Sequence, residues 1–181
     1  MTGVPLLCHP QSGAGGVNGV VVSITWKPGG EIEILYRVSG AINDLEVAAS
    51  AQPDRVDGLW KNTCFEIFIR QSYEETYLEY NFAPSGQWAA YAFSGYRQDM
   101  TGLATAAPLI NVERGDADLV VSVILQLPDG WHQRSLQVGL SAVLVTESGN
   151  RSYWALAHPQ GQPDFHHKDC FALQLEAPSA A

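Results

Sequence analysis

Side chains that bind hydroxyl groups alternate with aromatic residues along the stretch YLEYNFAPSGQWAAYAF, which covers residues 77–93. The stretch contains a carboxylate, an amide and an indole, and the flanking sequence adds a second glutamate, an arginine and a further tryptophan. Aromatic faces pack against C–H surfaces, whereas carboxylates and amides hydrogen-bond hydroxyl groups. This combination is typical of a saccharide site, and it gives the candidate ligand-binding residues Trp60, Glu66, Glu79, Asn81, Trp88 and Arg97.

A β-hairpin in this stretch would gather the polar residues on one face. If PSGQ forms a four-residue loop, Asn81 faces Ala90 and Glu79 faces Ala92, while aromatic residues occupy the opposite face. Cross-strand partners lie about 5 Å apart, so each polar group would stand beside a small side chain. This register predicts a shallow groove floored by alanine with Trp88 near one end, and a slip of one residue would abolish it.

A second hairpin is predicted at the segment TESGNRS. Gly149 and Asn150 suit a two-residue turn with glycine first, which pairs Val145 with Trp154 on an apolar face. The reverse face is rich in alanine, so both hairpins are expected to belong to one concave sheet.

The strand CFEIFIR contributes another carboxylate to this sheet. Side chains alternate along a strand, so Glu66 shares a face with Cys64 and Phe68 and lies opposite an apolar face. The residues that we expect to be buried in the core are Phe65, Ile67, Ile69, Tyr80, Phe82 and Trp154.

The elements that position these residues are β-strands, because apolar residues recur with period two along most of the chain. Turn signals such as KPGG, RGDAD and PDG separate short strands, which is typical of an antiparallel sandwich or barrel. We predict an all-β fold of about ten strands. A single domain is expected over residues 1–181, with a long loop at Asn43–Leu59 and loose ends at about residues 1–16 and 177–181.

The composition restricts the class of partner. The chain has 181 residues, 46% of them hydrophobic, and a formal net charge of -9. This charge disfavours nucleic acid and anionic membrane surfaces, which bind clustered Lys and Arg. No apolar run approaches the roughly 18 residues of a membrane span. A neutral small molecule or a saccharide is therefore the expected partner, and nothing in the sequence indicates the oligomeric state.

The cysteines indicate a reduced protein. Cys8, Cys64 and Cys170 are odd in number and lack the spacing of metal ligands. Cys64 and Cys170 lie in apolar segments and are expected to be buried, unreactive thiols. The N-terminal segment is also a poor signal peptide, because no Lys or Arg precedes its short apolar run. We therefore predict a cytoplasmic location.

No cofactor is expected, although haem and structural calcium are less favoured alternatives. Met100, His158 and His166 are residue types that ligate haem iron, but the sequence has no CxxCH motif. Zinc is disfavoured because His166 and His167 are adjacent and would point to opposite sides of an extended chain. Calcium would suit the acidic loops, although no run resembles an EF-hand.

An enzyme is the less favoured class of function. Glu66 and Glu79 could form the paired carboxylates of a glycosidase if they lie on neighbouring strands of one face. The sequence has no serine elbow, P-loop or dinucleotide-binding motif to support another reaction.

Three sequence blocks resemble a known family. They are DGLWKNTCFEIFI (residues 57–69), YLEYNFAPSGQWAAYAFSGYR (residues 77–97) and SYWALAHPQGQPDFHHKDCFALQL (residues 152–175). The pattern resembles the bacterial DOMON-like proteins, which are similar to the family 9 carbohydrate-binding modules of xylanases. The resemblance implies a jelly-roll-like β-sandwich that binds a ligand without catalysis. It leaves the ligand open, since the DOMON superfamily includes both sugar binders and haem binders.

Overall fold

Twelve β-strands build the protein in the computed structural model, which describes residues 3–178. All of them pair antiparallel, as alternating apolar and polar residues lead one to expect. The strands are β1 (Val4–Cys8), β2 (Val17–Trp26), β3 (Glu31–Gly40), β4 (Cys64–Gln71), β5 (Tyr77–Phe82), β6 (Trp88–Phe93), β7 (Thr101–Gly102), β8 (Leu109–Arg114), β9 (Asp118–Gln126), β10 (Leu136–Val145), β11 (Arg151–Ala155) and β12 (Leu173–Leu175).

Helical structure is limited to short turns. The only helices within residues 3–178 are four 3-10 turns, and none of them has the length or hydrophobicity of a membrane span. The predicted all-β antiparallel sandwich is therefore confirmed, with twelve strands where about ten were expected. The 3-10 turns are Ile42–Asp44, Leu59–Lys61, Trp131–Gln133 and Lys168–Cys170.

One strand joins the two layers of the sandwich. The first sheet has the order β8-β9-β3-β2-β1 and the second the order β1-β11-β10-β4-β5-β6-β7, with β12 beside β10. Leu6 of β1 pairs with β2, whereas Leu7 and Cys8 pair with β11. The expectation of a loose end over residues 1–16 is therefore wrong, because β1 supplies backbone hydrogen bonds to both sheets. Residues 179–181, part of the other expected loose end, lie outside the described residues.

The core lies between the two sheets. Tyr36 of β3 crosses this space, and its hydroxyl donates a hydrogen bond to the backbone carbonyl of Glu66 at 2.7 Å. Its ring also lies 5.1 Å from the ring of Phe65, measured between centroids. The inner face of β4 is thereby fixed against the first sheet, and Glu66 points away from it. All the predicted core residues are buried, namely Phe65, Ile67, Ile69, Tyr80, Phe82 and Trp154.

The β5–β6 hairpin has a shorter loop than the sequence predicted. The Ala83 amide donates to the Gln87 carbonyl at 2.9 Å, which leaves a three-residue loop that ends in Gly86 at φ 91. Glycine at this left-handed position is typical of three-residue hairpin loops. The register therefore moves by one residue, so Glu79 pairs with Tyr91 and Trp88 lies on the core face. The predicted groove floored by alanine is wrong.

The β10–β11 hairpin differs from its prediction for the same reason. The Thr146 amide donates to the Asn150 carbonyl at 2.9 Å, and Gly149 ends a three-residue loop at φ 82. Trp154 consequently pairs with Ala142 and not with Val145. Its burial does not depend on this pairing, because the new partner also belongs to the core.

Candidate functional site

A cavity opens on the outer face of the second sheet, where a long C-terminal segment folds over the strands. Phe165 and Phe171 of this segment pack against Tyr153 and Phe68, with centroid distances of 6.2 Å and 6.3 Å. The space left beside them, here called the deep cavity, measures about 510 Å³. Its polar lining consists of Lys61, Glu66, Glu79, Arg97, Arg151 and His166, and its aromatic lining of Trp60, Phe68, Phe93, Tyr153 and Phe165.

Two buried carboxyl groups form the centre of this lining. Glu66 of β4 and Glu79 of β5 are 3% and 5% exposed and lie on adjacent strands, since Glu66 pairs with Asn81. The Asn81 amide donates a hydrogen bond to Glu79 Oε1 at 2.7 Å. Glu66 Oε1, by contrast, is buried and has no hydrogen-bond partner among the described residues. A buried polar atom without a partner is costly, and the buried hydroxyl of Ser141, which pairs with Glu66 from β10, also lacks one. Glu66 and Ser141 are therefore the chemically unsatisfied point of the site.

Burial keeps this pair partly protonated at neutral pH. The pKa of Glu66 is raised well above its usual value, first by burial and then by the negative charge of Glu79, although the nearby Ser141 hydroxyl and the charge of Arg97 oppose the rise. Burial also raises the pKa of Glu79 to about 7, although the Asn81 hydrogen bond and the charge of Arg97 oppose the rise. The pair can therefore both donate and accept hydrogen bonds, which is what a ligand hydroxyl group requires.

A hydrogen-bond network holds the C-terminal segment over the cavity. Tyr77 Oη lies 2.8 Å from His166 Nδ1 and accepts the backbone N–H of Arg97 at 3.1 Å. Arg97 forms an ion pair with Asp164 at 2.8 Å, and the same Asp164 oxygen accepts the His166 amide. Burial lowers the pKa of His166 to about 4, so its ring is neutral and its 3.8 Å approach to Glu79 is not an ion pair.

The structure brings together most of the predicted site residues. Glu66, Glu79 and Arg97 line the deep cavity, and so does Trp60, which is 39% exposed and packs edge to face against Tyr91. Asn81 is fully buried and does not line the cavity, but it orients Glu79 through the hydrogen bond to Oε1.

Trp88 is the exception among the predicted site residues. It is 7% exposed, belongs to the core cluster, and its indole N–H donates to the Pro53 carbonyl at 3.2 Å. The expectation that Trp88 shares the face of Glu79 is therefore wrong, because the hairpin loop is one residue shorter than predicted.

Several lining residues were not among the sequence candidates. Lys61 directly follows Trp60, and that proximity was the one available signal for it. Arg151 and Tyr153 begin β11, and Phe165 and His166 reach the cavity only because residues 158–171 fold over the sheet. No local pattern encodes this placement, so only the tertiary structure assigns these residues to the site.

Metal and haem ligands are poorly matched by this lining. No group of three His, Cys, Asp or Glu side chains within residues 3–178 is arranged to hold a metal ion. Met100 and His166 both line the deep cavity, but each His166 ring nitrogen already has a polar neighbour, Tyr77 or Glu79. His158 is used elsewhere, since its Nε2 lies 2.8 Å from the Leu7 carbonyl. Cys64 and Cys170 are buried and unpaired, as predicted.

The raised pKa of Glu79 predicts a pH-dependent stability. In the folded protein this pKa is about 7, above its ordinary value of 4.5, so the folded state binds more protons between these values. The stabilising contribution of the protonated Glu79 carboxyl group is complete below pH 4.5 and is lost as the pH rises through about 7. Compared with Glu79→Gln, the wild type should lose on the order of 2 kcal/mol of unfolding free energy between about pH 5 and pH 8.

Urea unfolding of both proteins at each pH measures this difference. The comparison removes the contribution of His166, whose lowered pKa acts in the opposite direction below its ordinary value of 6.5. Parallel pH profiles for wild type and variant would show that Glu79 titrates normally in the folded protein.

Comparison with known proteins relates this architecture to carbohydrate-binding folds. The sequence matches no protein-family model and no curated protein significantly. A Bacteroides uniformis protein, provisionally assigned to carbohydrate binding, has a similar structure, with a TM-score of 0.62 and 14% identity over 84% of this chain and 75% of that chain. A family 9 carbohydrate-binding module from Caldicellulosiruptor kristjanssonii, in complex with glucose, gives a TM-score of 0.54 and 12% identity over 90% and 78% of the two chains.

These likenesses concern the fold, since the identities are low. The predicted resemblance to family 9 modules is thus supported at the level of the β-sandwich. Membership of the DOMON-like proteins stays a prediction.

Proposed function

We propose that the protein is a non-catalytic saccharide-binding module whose ligand occupies the deep cavity. The observation that carries this proposal is the Glu66 carboxyl group, which lines the deep cavity at its buried end while its Oε1 has no hydrogen-bond partner among the described residues. A sugar hydroxyl in the cavity would hydrogen-bond this carboxyl group. The carbohydrate-binding folds of the structural neighbours, one of them in complex with glucose, support the same ligand class.

The rest of the lining suits a sugar ring. Trp60, Phe93 and Tyr153 offer aromatic surface for C–H groups, and the carboxyl pair offers hydrogen bonds for hydroxyl groups. A volume of about 510 Å³ lies within the range of small-ligand sites. The sugar would enter beside Trp60, which is 39% exposed, and reach Glu66 at the buried end of the cavity.

A glycosidase is the second candidate, because the structure places two carboxyl groups in one cavity. Such an enzyme needs one carboxyl group as acid and another as base or nucleophile on either side of the scissile bond. The two groups lie on neighbouring strands of one sheet face, as such a site requires. Binding is favoured over hydrolysis because Asn81 already engages Glu79 and the structural neighbours have carbohydrate-binding folds. Turnover of aryl glycosides that Glu66→Gln abolishes would establish the enzyme and overturn the proposal.

Calorimetric titration with glucose and cellobiose tests the proposal, and Trp60→Ala supplies a specific prediction. Loss of the exposed indole should weaken sugar affinity about tenfold, because it removes an aromatic contact of the ring. Stability should change by less than about 1 kcal/mol, as for most partly exposed positions.

Trp131→Ala is the matched control, since Trp131 does not line the deep cavity. It should leave sugar affinity unchanged. Equal affinities for wild type and Trp60→Ala would remove Trp60 from the site, and the absence of binding by the wild type to any sugar would overturn the proposed function.

A further inference from the structure

A second cavity of about 570 Å³ adjoins the deep cavity on the same side of the molecule. The two share Arg151, Tyr153 and Pro163 as lining residues, so one continuous depression runs past the start of β11. A ligand longer than one sugar unit could therefore extend from the deep cavity into the second one.

Neutral hydrogen-bonding groups line most of the second cavity. Gln11, Asn150 and Gln162 contribute side-chain amides, which both donate and accept hydrogen bonds and so suit hydroxyl groups. The side chains of Gln11 and Gln162 make no hydrogen bond to any other part of the described chain, which leaves them free for a ligand. No carboxylate belongs to this lining as far as the described residues show.

Positive charge is concentrated where the two cavities meet. Arg151 lines both cavities, and its guanidinium group donates a hydrogen bond to the backbone carbonyl of Lys61, a residue of the deep cavity, at 2.8 Å. Neither side chain forms a salt bridge within residues 3–178, whereas Arg97 of the deep cavity is paired with Asp164. Arg151 at the junction and Lys61 in the deep cavity are thus two cations without a salt bridge in a chain of net charge -9. Their natural partner is an anion.

We infer that the ligand is an acidic oligosaccharide: its terminal unit lies in the deep cavity at Glu66, and the adjoining unit carries a carboxylate that binds Arg151. A guanidinium group can bind a carboxylate with two parallel hydrogen bonds, which fixes the orientation of the acidic unit. The amides of Gln11 and Gln162 then meet the hydroxyl groups of that unit. This inference rests on the proposed function.

The inference departs from the neutral ligand that the sequence predicted. Net charge describes the whole chain, and it does not show that Lys61, Arg97 and Arg151, three of the ten Lys and Arg residues, line one cavity. The charges within a site decide which ligand it binds, because salt screens the interactions of exposed charges that lie more than about 10 Å apart.

The test compares cellobiose with cellobiouronic acid, the disaccharide in which a glucuronic acid unit is linked to glucose. Calorimetry at low salt should give about tenfold tighter binding of the acidic disaccharide by the wild type. Arg151→Gln should make the affinities for the two disaccharides equal within about twofold, since the charge is lost and the polar side chain is kept. Added salt should also reduce the preference.

Arg134→Gln is the matched control. Arg134 also hydrogen-bonds a neutral acceptor, Gln71, but lines neither cavity, so this variant should keep the wild-type preference. Equal binding of both disaccharides by the wild type, or a preference that survives in Arg151→Gln, would overturn the inference and leave the proposed function standing. If glucose and both disaccharides fail to bind, the proposed function fails as well.

Discussion

Replacing Trp88 with alanine should lower the free energy of unfolding by about 3–5 kcal/mol, the usual cost of removing a large aromatic side chain from a core. Trp88 is 7% exposed, pairs with Phe82, and contributes to the apolar cluster between the two sheets. Its indole N–H is also satisfied internally, by the Pro53 carbonyl. The sugar affinity of the molecules that remain folded should be unchanged, because Trp88 lies on the face opposite Glu79.

Urea unfolding and calorimetry on the same samples separate the two effects. Trp60→Ala is the natural comparison, because it removes the same side chain from the mouth of the deep cavity and should give the reverse result. If Trp88→Ala were as stable as the wild type but bound no sugar, Trp88 would belong to the site and the register of the hairpin would have to be revised.

Replacing Glu66 with leucine should reduce sugar affinity about 100-fold or more, because it removes the carboxyl group that the ligand is expected to hydrogen-bond. Stability should stay within about 1 kcal/mol of the wild type or increase, because an imperfectly satisfied buried carboxyl group gives way to an apolar side chain of similar size. Leucine would deprive neither cross-strand neighbour of a hydrogen bond, because Asn81 donates to Glu79 and the buried Ser141 hydroxyl forms no hydrogen bond within residues 3–178. The neighbours along the strand, Cys64 and Phe68, are apolar and buried. A gain in stability together with a loss of binding is the signature of a residue kept for function.

Glu79→Leu is the matched control for this prediction. It removes a carboxyl group of similar burial, but it leaves the buried Asn81 amide without its acceptor, so it should cost about 1–3 kcal/mol. A large loss of stability in Glu66→Leu, with wild-type sugar affinity, would show that Glu66 supports the fold and not a ligand.

The local residue pattern was sufficient to predict the sheet and the orientation of Glu66. Alternation along β4 places Phe65 and Ile67 inward, and the neighbouring glutamate must then point outward whatever strand pairs with it. The burial of Tyr80 and Phe82 follows from the same rule for β5. Such predictions need only the period of two, which is a property of one strand.

Pairing between strands was not predictable to the residue. Both hairpin loops end in a glycine at a left-handed backbone angle, Gly86 and Gly149, and both contain three residues where the sequence suggested four or two. An error of one residue in a loop reverses the face of a partner strand, and that error moved Trp88 from the predicted groove into the core. A glycine near the end of a turn motif admits several loop lengths, so the sequence alone does not select among them.

The cavity residues contributed by the C-terminal segment could not be predicted from the sequence for another reason. His166 and Phe165 line the cavity because residues 158–171 fold back over the second sheet, where Asp164 pairs with Arg97 and Tyr77 contacts His166. These contacts join residues more than sixty positions apart. Neither periodicity nor a local motif predicts which strand face such a segment covers.

The most direct test of the account is a crystal structure of the protein grown with saturating glucose. Electron density for the sugar is expected in the deep cavity, against Trp60, with a hydroxyl oxygen within about 3 Å of the Glu66 carboxyl group. Density for the sugar at any other surface, with only protein atoms around Glu66, would contradict the proposed site.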